Sequence, residues 1–561
     1  MAAILTPSLI WKDFQLPSGV NYSEEEGFLS DNLKLKHVYI EGRAVKGGNV
    51  KIYGAFVTPA EKHGGASVLI VQDFSDGNNL ALAMQLAQKG YDAFLIDLAG
   101  LKEGKERYTV YPESVKYANL AESVYGQDEL SCDVTSTCWY EWCAAVIYAA
   151  AFLRERKKGA RVGAIGIGGA ATALWQAAAV SGNFDCVVFS CNSGWYAYRG
   201  INKFGGVQEP GFSDGTLSFI AGVEPQSYAR QIKCPILILA PTNSPVFPCD
   251  RAYDTVARTE EGVYTAVRYS VGGRNTADCK CFACAEIFLE NFLHAPKGQA
   301  DLPGETEIKG EFREGKLFAE VKPCTKDLKS VRLYVAEQTL TPKFRSWRKI
   351  APVSEGEVFS FEYEPYEKSG SVVYFAEAEY KNGFGVCSII EERSFAPETS
   401  SKHNKHRIIY SSRRDGVESM FGEAVENTLS PHGLDILPEP KVQEAKGPMD
   451  LYGLYGVNGL MTFRIIAEKF RPEEDSLMML DVYIKGGGTF TVRLIADYYG
   501  AGRTEYSASA SITGGEVWQN VKFEKNRFKT AEGMSLKNYD KIEAIEFYAD
   551  GDFLINNALW V

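Results

Sequence analysis

Histidine is the side chain whose ordinary pKa lets it pass protons near neutral pH. The 561-residue sequence holds six, at positions 37, 63, 294, 403, 406 and 432. None falls between His63 and Leu293, a stretch that alternates apolar runs with helical patterns. A second feature is the glycine-rich turn GAIGIGGA (163–170), which joins an apolar run to a helical pattern. The backbone amides of Gly169 and of the Asp73–Phe74 turn can form an anion-binding nest at such a helix start. A tight turn with close packing explains the same glycines. A dinucleotide loop fits poorly. Counting G-x-G-x-x-G from Gly166 puts Ala171 at the third glycine, and the acidic Asp185 precedes a strand.

Thiols form a third feature. Cys279, Cys281 and Cys284 read C-x-C-x-x-C, with Cys249 on the preceding loop. Three or four thiolates can hold zinc tetrahedrally. The spacing is not that of a zinc knuckle, and a helix would turn only Cys281 and Cys284 to one side. Small buried helix residues are the alternative reading. Cys138 and Cys143 in CWYEWC and Cys186 in DCVVFS sit in apolar runs and read as core thiols. Ser193 in SCNSGW follows a strand end and can line a pocket, yet it has no histidine partner.

These residues are carried by a recognisable order of elements. ASVLIVQDF (66–74), YDAFLIDLAG (91–100), RVGAIGIG (161–168), CVVFS (186–190) and CPILILA (234–240) are continuous apolar runs separated by helical stretches. That pattern predicts a mainly parallel sheet with helices on both faces. Residues 305–395 change to short alternating strands such as SVRLYVAE, with a turn at Asn382-Gly383, and read as a small immunoglobulin-like β-sandwich. RSWRKI (345–350) within it reads as a basic patch with Trp347. Residues 396–406 are polar and aperiodic, a linker. Residues 407–561 return to evenly spaced strands, a jelly roll.

Composition narrows the function classes. Net charge is −12, which argues against nucleic acid or an anionic membrane as partner. Met1–Leu9 has no basic start and no long apolar stretch, and no run of about 18 apolar residues occurs. With the 12 cysteines read as reduced, a cytoplasmic location is expected.

Five ordered segments carry a family resemblance: VLIVQDFSDGNN, GYDAFLIDLAG, GAIGIGGAATALWQAA, CPILILAPTNSPVFPCDRAYD and VGGRNTADCKCFACAEIFLENFL. With the opening SLIWKDFQLP they resemble the acetyl-xylan-esterase and dienelactone-hydrolase-like branch of the α/β-hydrolases. The resemblance implies an α/β-hydrolase domain over 38–297, with 1–37 as an extension packed on it. It puts the nucleophile position on Gly168, the acid on Ser244 and the base on Asn275, or on Arg274 if the loop shifts by one. None of these can do the work of a Ser-Asp-His triad. The last domain, through VWQNVKF (517–523) and KIEAIEFYADGDFLINNALWV, resembles galactose-binding-like carbohydrate-binding modules.

The expected protein is therefore multidomain: an α/β-hydrolase domain without a triad, followed by two all-β sandwiches. The expected function is binding of a carbohydrate-type or small-molecule ligand, or of a protein partner, and not hydrolysis. A carbohydrate esterase with a rearranged site and a pure assembly scaffold are the alternatives. The expected contacts are Asp73, Phe74, Gly168, Gly169, Ser193, Ser244 and Asn275 in the cleft. Tyr498, Tyr499 and Tyr506 are the sugar-stacking candidates of the jelly roll. No catalytic cofactor is expected; a structural calcium in the jelly roll is the one ion the resemblance leaves open.

Overall fold

The computed structural model describes residues 4–30, 32–61, 65–74, 79–102, 104–116, 128–199, 203–204, 211–273, 279–294, 301–337, 342–365, 370–395, 407–417, 420–422, 442–456 and 459–561. The expected linker, 396–406, lies outside them, as does Asn275.

The N-terminal unit is built on a nine-stranded sheet. Its strands are β1 (Tyr22–Ser30), β2 (Leu33–Val45), β3 (Gly48–Pro59), β4 (Ser67–Val71), β5 (Asp92–Ile96), β6 (Val162–Ile167), β7 (Cys186–Ser190), β8 (Ile236–Pro241) and β9 (Thr265–Ser270), in the order β1-β2-β3-β5-β4-β6-β7-β8-β9. β5, β4, β6, β7, β8 and β9 run parallel. β4, β6, β7 and β8 are buried at every residue. Parallel strands buried on both faces need continuous apolar sequence, and these have it. Helices Cys138–Arg156 and Ala171–Ser181 contribute to one core, and Ala81–Gln88 and Cys279–Leu293 to the other. The boundary expected at residue 37 falls inside β2, and residues 22–30 form β1 in register with it. Three consecutive glutamates obscured β1 in the sequence. In the fold Glu24 pairs with Lys36 and Arg156, and Glu25 with Arg107.

The middle unit is a sandwich of a three-stranded and a five-stranded antiparallel sheet around Leu317, Val321, Leu333, Val335, Phe361 and Tyr374. The outer face of its larger sheet packs against the α/β unit. Tyr334, Trp347, Phe375 and Cys387 join the core of the α/β unit, with the Phe375 and Tyr269 rings 4.8 Å apart. Within RSWRKI, Arg345 and Trp347 are buried, Arg348 is half-buried and Lys349 is exposed.

The last unit holds two antiparallel sheets of six and five strands that share one core, with Leu480 and Val482 on one side and Val492 and Leu494 on the other. Among the described residues no helix is long and apolar enough to cross a membrane.

Candidate functional site

β6 ends in the turn that the sequence marked. Gly168 follows at φ +58°, in the left-handed region that favours glycine. The chain then passes through a short 3-10 turn into helix Ala171–Ser181. Asp73 and Phe74 come directly after β4, the strand hydrogen-bonded beside β6, so both reach this turn.

The Asp73 carboxylate occupies the turn. Gly169 N–H donates to its Oδ2 at 2.9 Å. A Cβ built on Gly168 would stand 1.4 Å from the same oxygen. The volume that a side chain at position 168 would need is thus filled by a carboxylate. The amide that would steady an anion already holds one. Phe74 covers the other side of the turn, its ring 4.4 Å from that of Trp142. Asn192 fastens the turn from below, donating to the Gly168 carbonyl at 2.8 Å and to Thr172 Oγ1 at 3.0 Å.

The loop after β7 lies beside this turn, to which its Asn192 is bonded. Its Cys191 and Trp195 both adopt positive φ, a conformation that costs non-glycine residues energy and persists only when neighbours enforce it. At Trp195 the enforcing groups are Glu224, whose carboxylate accepts from the Trp195 amide at 3.0 Å and the Ala197 amide at 2.9 Å, and Gln226, whose Oε1 accepts from the Trp195 amide at 3.1 Å. Burial pushes the Glu224 carboxyl above its ordinary value. Burial also pushes the Cys191 thiol well up, and the Asp73 charge adds to this. A thiol so placed is a poor nucleophile near neutral pH. Burial raises Tyr196 too, with Asp73 contributing.

The other expected residues do structural jobs. Ser244 Oγ accepts from the amides of Val246 at 3.2 Å and Phe247 at 3.0 Å, so it caps a turn. Its neighbour Asn243 donates across the domain boundary to the Arg345 carbonyl at 2.7 Å. Asp250, the nearest acid on this loop, pairs with the Arg345 guanidinium and not with an imidazole. Ser193 is buried, and its carbonyl accepts from Thr255 Oγ1. Cys284 Sγ contacts the Gly383 carbonyl of the middle unit at 3.8 Å, and burial raises its thiol. The side chains of Cys279 and Cys281 lie outside those described.

In the last unit Tyr498 is a correction. It is 4% exposed, because it packs edge-on against Phe463 at 4.9 Å under Tyr499. Tyr499 stacks with Phe463 and meets Phe344 of the middle unit at 5.9 Å. Both rings help join the two sandwiches. Tyr506 is half-buried and packs towards the internal core.

No protein-family model matches the chain, and no curated protein matches it. Solved structures do. The acetyl xylan esterase from Paenibacillus sp. R4 is 15% identical, covers 51% of this chain and 92% of its own, and aligns with a TM-score of 0.38. Acetyl xylan esterase 1 from Thermoanaerobacterium sp. JW/SL YS485 is 12% identical over 45% of this chain and 81% of its own, with a TM-score of 0.32. A Klebsiella pneumoniae protein assigned as a dienelactone hydrolase is 15% identical over 50% of this chain and 100% of its own, with a TM-score of 0.30. The neighbours are hydrolases. Each matches about half of this chain.

Proposed function

We propose that this chain is a non-hydrolysing α/β-hydrolase-like protein that binds a carbohydrate-type ligand. The observation that carries the first half is the Asp73 carboxylate lodged at the Gly168–Gly169 turn. Gly168 has no side chain to attack a carbonyl. An acyl-transfer transition state also places negative charge where backbone amides can receive it. Here that charge would form beside an existing carboxylate. Two like charges about 4 Å apart repel by about 4 kcal/mol at a surface-like effective dielectric. That alone is about a thousandfold in rate.

The jelly-roll reading of the last unit supports the second half, and the net charge of −12 sits with a sugar ligand better than with nucleic acid. A scaffold role has its own support. Asn243 and Asp250, on the loop where the triad acid would stand, are both engaged in docking the middle unit. A cytoplasmic location remains part of the proposal.

The test is hydrolysis of p-nitrophenyl acetate by the full chain, alongside thermal melting with and without plant-type oligosaccharides. The expected result is no turnover above background and a sugar-dependent rise in melting temperature. Turnover that a substitution at Asp73 abolishes would overturn the first half. A melting temperature indifferent to every sugar would leave the scaffold role standing in place of the second.

A further inference from the structure

The outer face of the five-stranded sheet in the last unit changes character along its length. Near the middle unit it is apolar, with Ile495, Met461 and Ala544 packed round Tyr498. Beyond that it turns polar. Arg493 on strand Gly488–Ala496 lies opposite Ser507 on strand Thr504–Ile512 and opposite Glu546 on strand Ile542–Ala549. Period-two alternation puts Glu505, Ser507 and Ser509 on this face and Tyr506 on the core side. A groove of about 510 Å³ opens here, and the segment Arg527–Ala531 forms one wall.

The groove is ordered from within. Arg493 is held by Glu546 at 2.9 Å and Glu505 at 3.3 Å, and it donates to the Tyr548 hydroxyl at 3.3 Å. Ser507, Ser509 and Thr530 bring hydroxyls to the lining, and Thr491 Oγ1 behind them lies 2.9 Å from Ser509 Oγ. The wall adds cations. Arg527 reaches over to the Ser509 carbonyl at 3.0 Å, and Lys529 stands exposed beside Ser507. Outside the lining, Arg503 pairs with Glu505 at 2.8 Å. The groove's lining holds Arg493, Arg527 and Lys529 against one carboxylate, Glu505, a local positive excess in a chain of net charge −12.

We propose that this groove binds an acidic oligosaccharide, one whose sugar rings carry carboxylates. This deepens the function proposed above and rests on its carbohydrate-type ligand. Hydroxyls and a fixed guanidinium–carboxylate network offer donors and acceptors together, which a polyhydroxylated ring requires and a simple anion does not. The wall cations supply charge-assisted bonds to the carboxylates. A peptide fits less well. Peptides that extend a sheet need a free strand edge, and the edge at Ser507 is closed by reciprocal backbone bonds with Lys529 at 2.8 and 3.1 Å. Of the apolar lining residues, Ala508 turns its side chain to the core, which leaves Ala531 as the apolar contact for a peptide side chain.

Calorimetry of the full chain with oligogalacturonate, neutral xylo-oligosaccharide and oligo-aspartate tests this, repeated on Arg527→Ala/Lys529→Ala. Both substituted residues are exposed, and an unchanged melting temperature verifies the fold. The expected result is oligogalacturonate binding at least tenfold tighter than either control, weakened at least tenfold in the double variant. Oligo-aspartate binding as well as oligogalacturonate would overturn the proposal, and so would an affinity the double variant leaves unchanged. Binding of the neutral sugar alone overturns the acidic groove and keeps the carbohydrate reading. Binding of no sugar removes both.

Discussion

Asp250 of the α/β unit and Arg345 of the middle sandwich form a buried ion pair, their side chains 1% and 0% exposed, with Arg345 Nη2 donating to Asp250 Oδ2 at 2.6 Å. The pair is walled in by Cys249 and Trp347, so neither charge has water to fall back on. Removing one member of such a pair strands the other and costs about 3–5 kcal/mol. Arg345→Ala should therefore lower the denaturation midpoint strongly. Replacing both by apolar residues of similar size, Asp250→Leu with Arg345→Met, should recover most of the loss. A double-mutant cycle in urea measures the coupling; additive losses would show the pair to be dispensable.

The Gly168 turn offers a second measurement. Gly168→Ala introduces a Cβ onto the Asp73 carboxylate and forces a non-glycine residue to positive φ. The left-handed backbone costs about 1–2 kcal/mol and the overpacking about 1–3 kcal/mol. A combined loss of about 2–5 kcal/mol is expected in chemical denaturation. Asp73→Gly in the same chain should return the overpacking share and leave the backbone share. A Gly168→Ala chain as stable as the parent would mean that Asp73 does not occupy the turn.

Much of the α/β unit was legible because parallel strands must be apolar throughout, and β4, β6, β7 and β8 are. The lack of histidine between His63 and Leu293 is a property of the sequence itself. β1 was not, because Glu24 and Glu25 are tolerable in a strand only through partners as far off as Arg107 and Arg156. Nor was the role of Asp73: nothing local says that a carboxylate after β4 will reach a glycine some 95 residues on. The docking of the middle unit was hidden for the same reason. Arg345 and Trp347 look like surface residues until Asp250 and Tyr269 are brought beside them. The polar groove had a faint signal in TEYSASASI, where the even alternation of Glu505, Ser507 and Ser509 marks one wet face.

Acid should loosen the last unit. Arg464 donates to Ser346 Oγ of the middle unit at 2.7 Å and to Asp415 Oδ1 at 3.2 Å, so one guanidinium ties two domains. Burial alone would raise the Asp415 carboxyl, but Arg464 and Arg414 together hold it below its ordinary value. A carboxylate depressed in the folded state stabilises the fold above its unfolded pKa and loses that contribution as pH falls through the folded one. The loss belongs on the acid side of about pH 4. The denaturation midpoint of the last unit should fall over that range. Asp415→Asn should lower it at neutral pH and flatten its acid dependence. An equally steep acid dependence in the variant would assign the titration to another group.

Tyr499 separates interface from ligand site. It stacks on Phe463, meets Phe344 and lies under the Lys343 ammonium at 4.5 Å from the ring centre. An aromatic pair contributes about 0.5–1.5 kcal/mol beyond area burial, so losing two such pairs should cost about 1–3 kcal/mol. Because the ring faces the middle unit, Tyr499→Ala should reduce the coupling between the two sandwiches, read as a split or broadened unfolding transition. Saccharide affinity should stay as it was. If instead Tyr499→Ala abolished sugar binding while the unfolding transition kept its shape, the ring would belong to a ligand platform and the groove beside Arg493 would lose its claim.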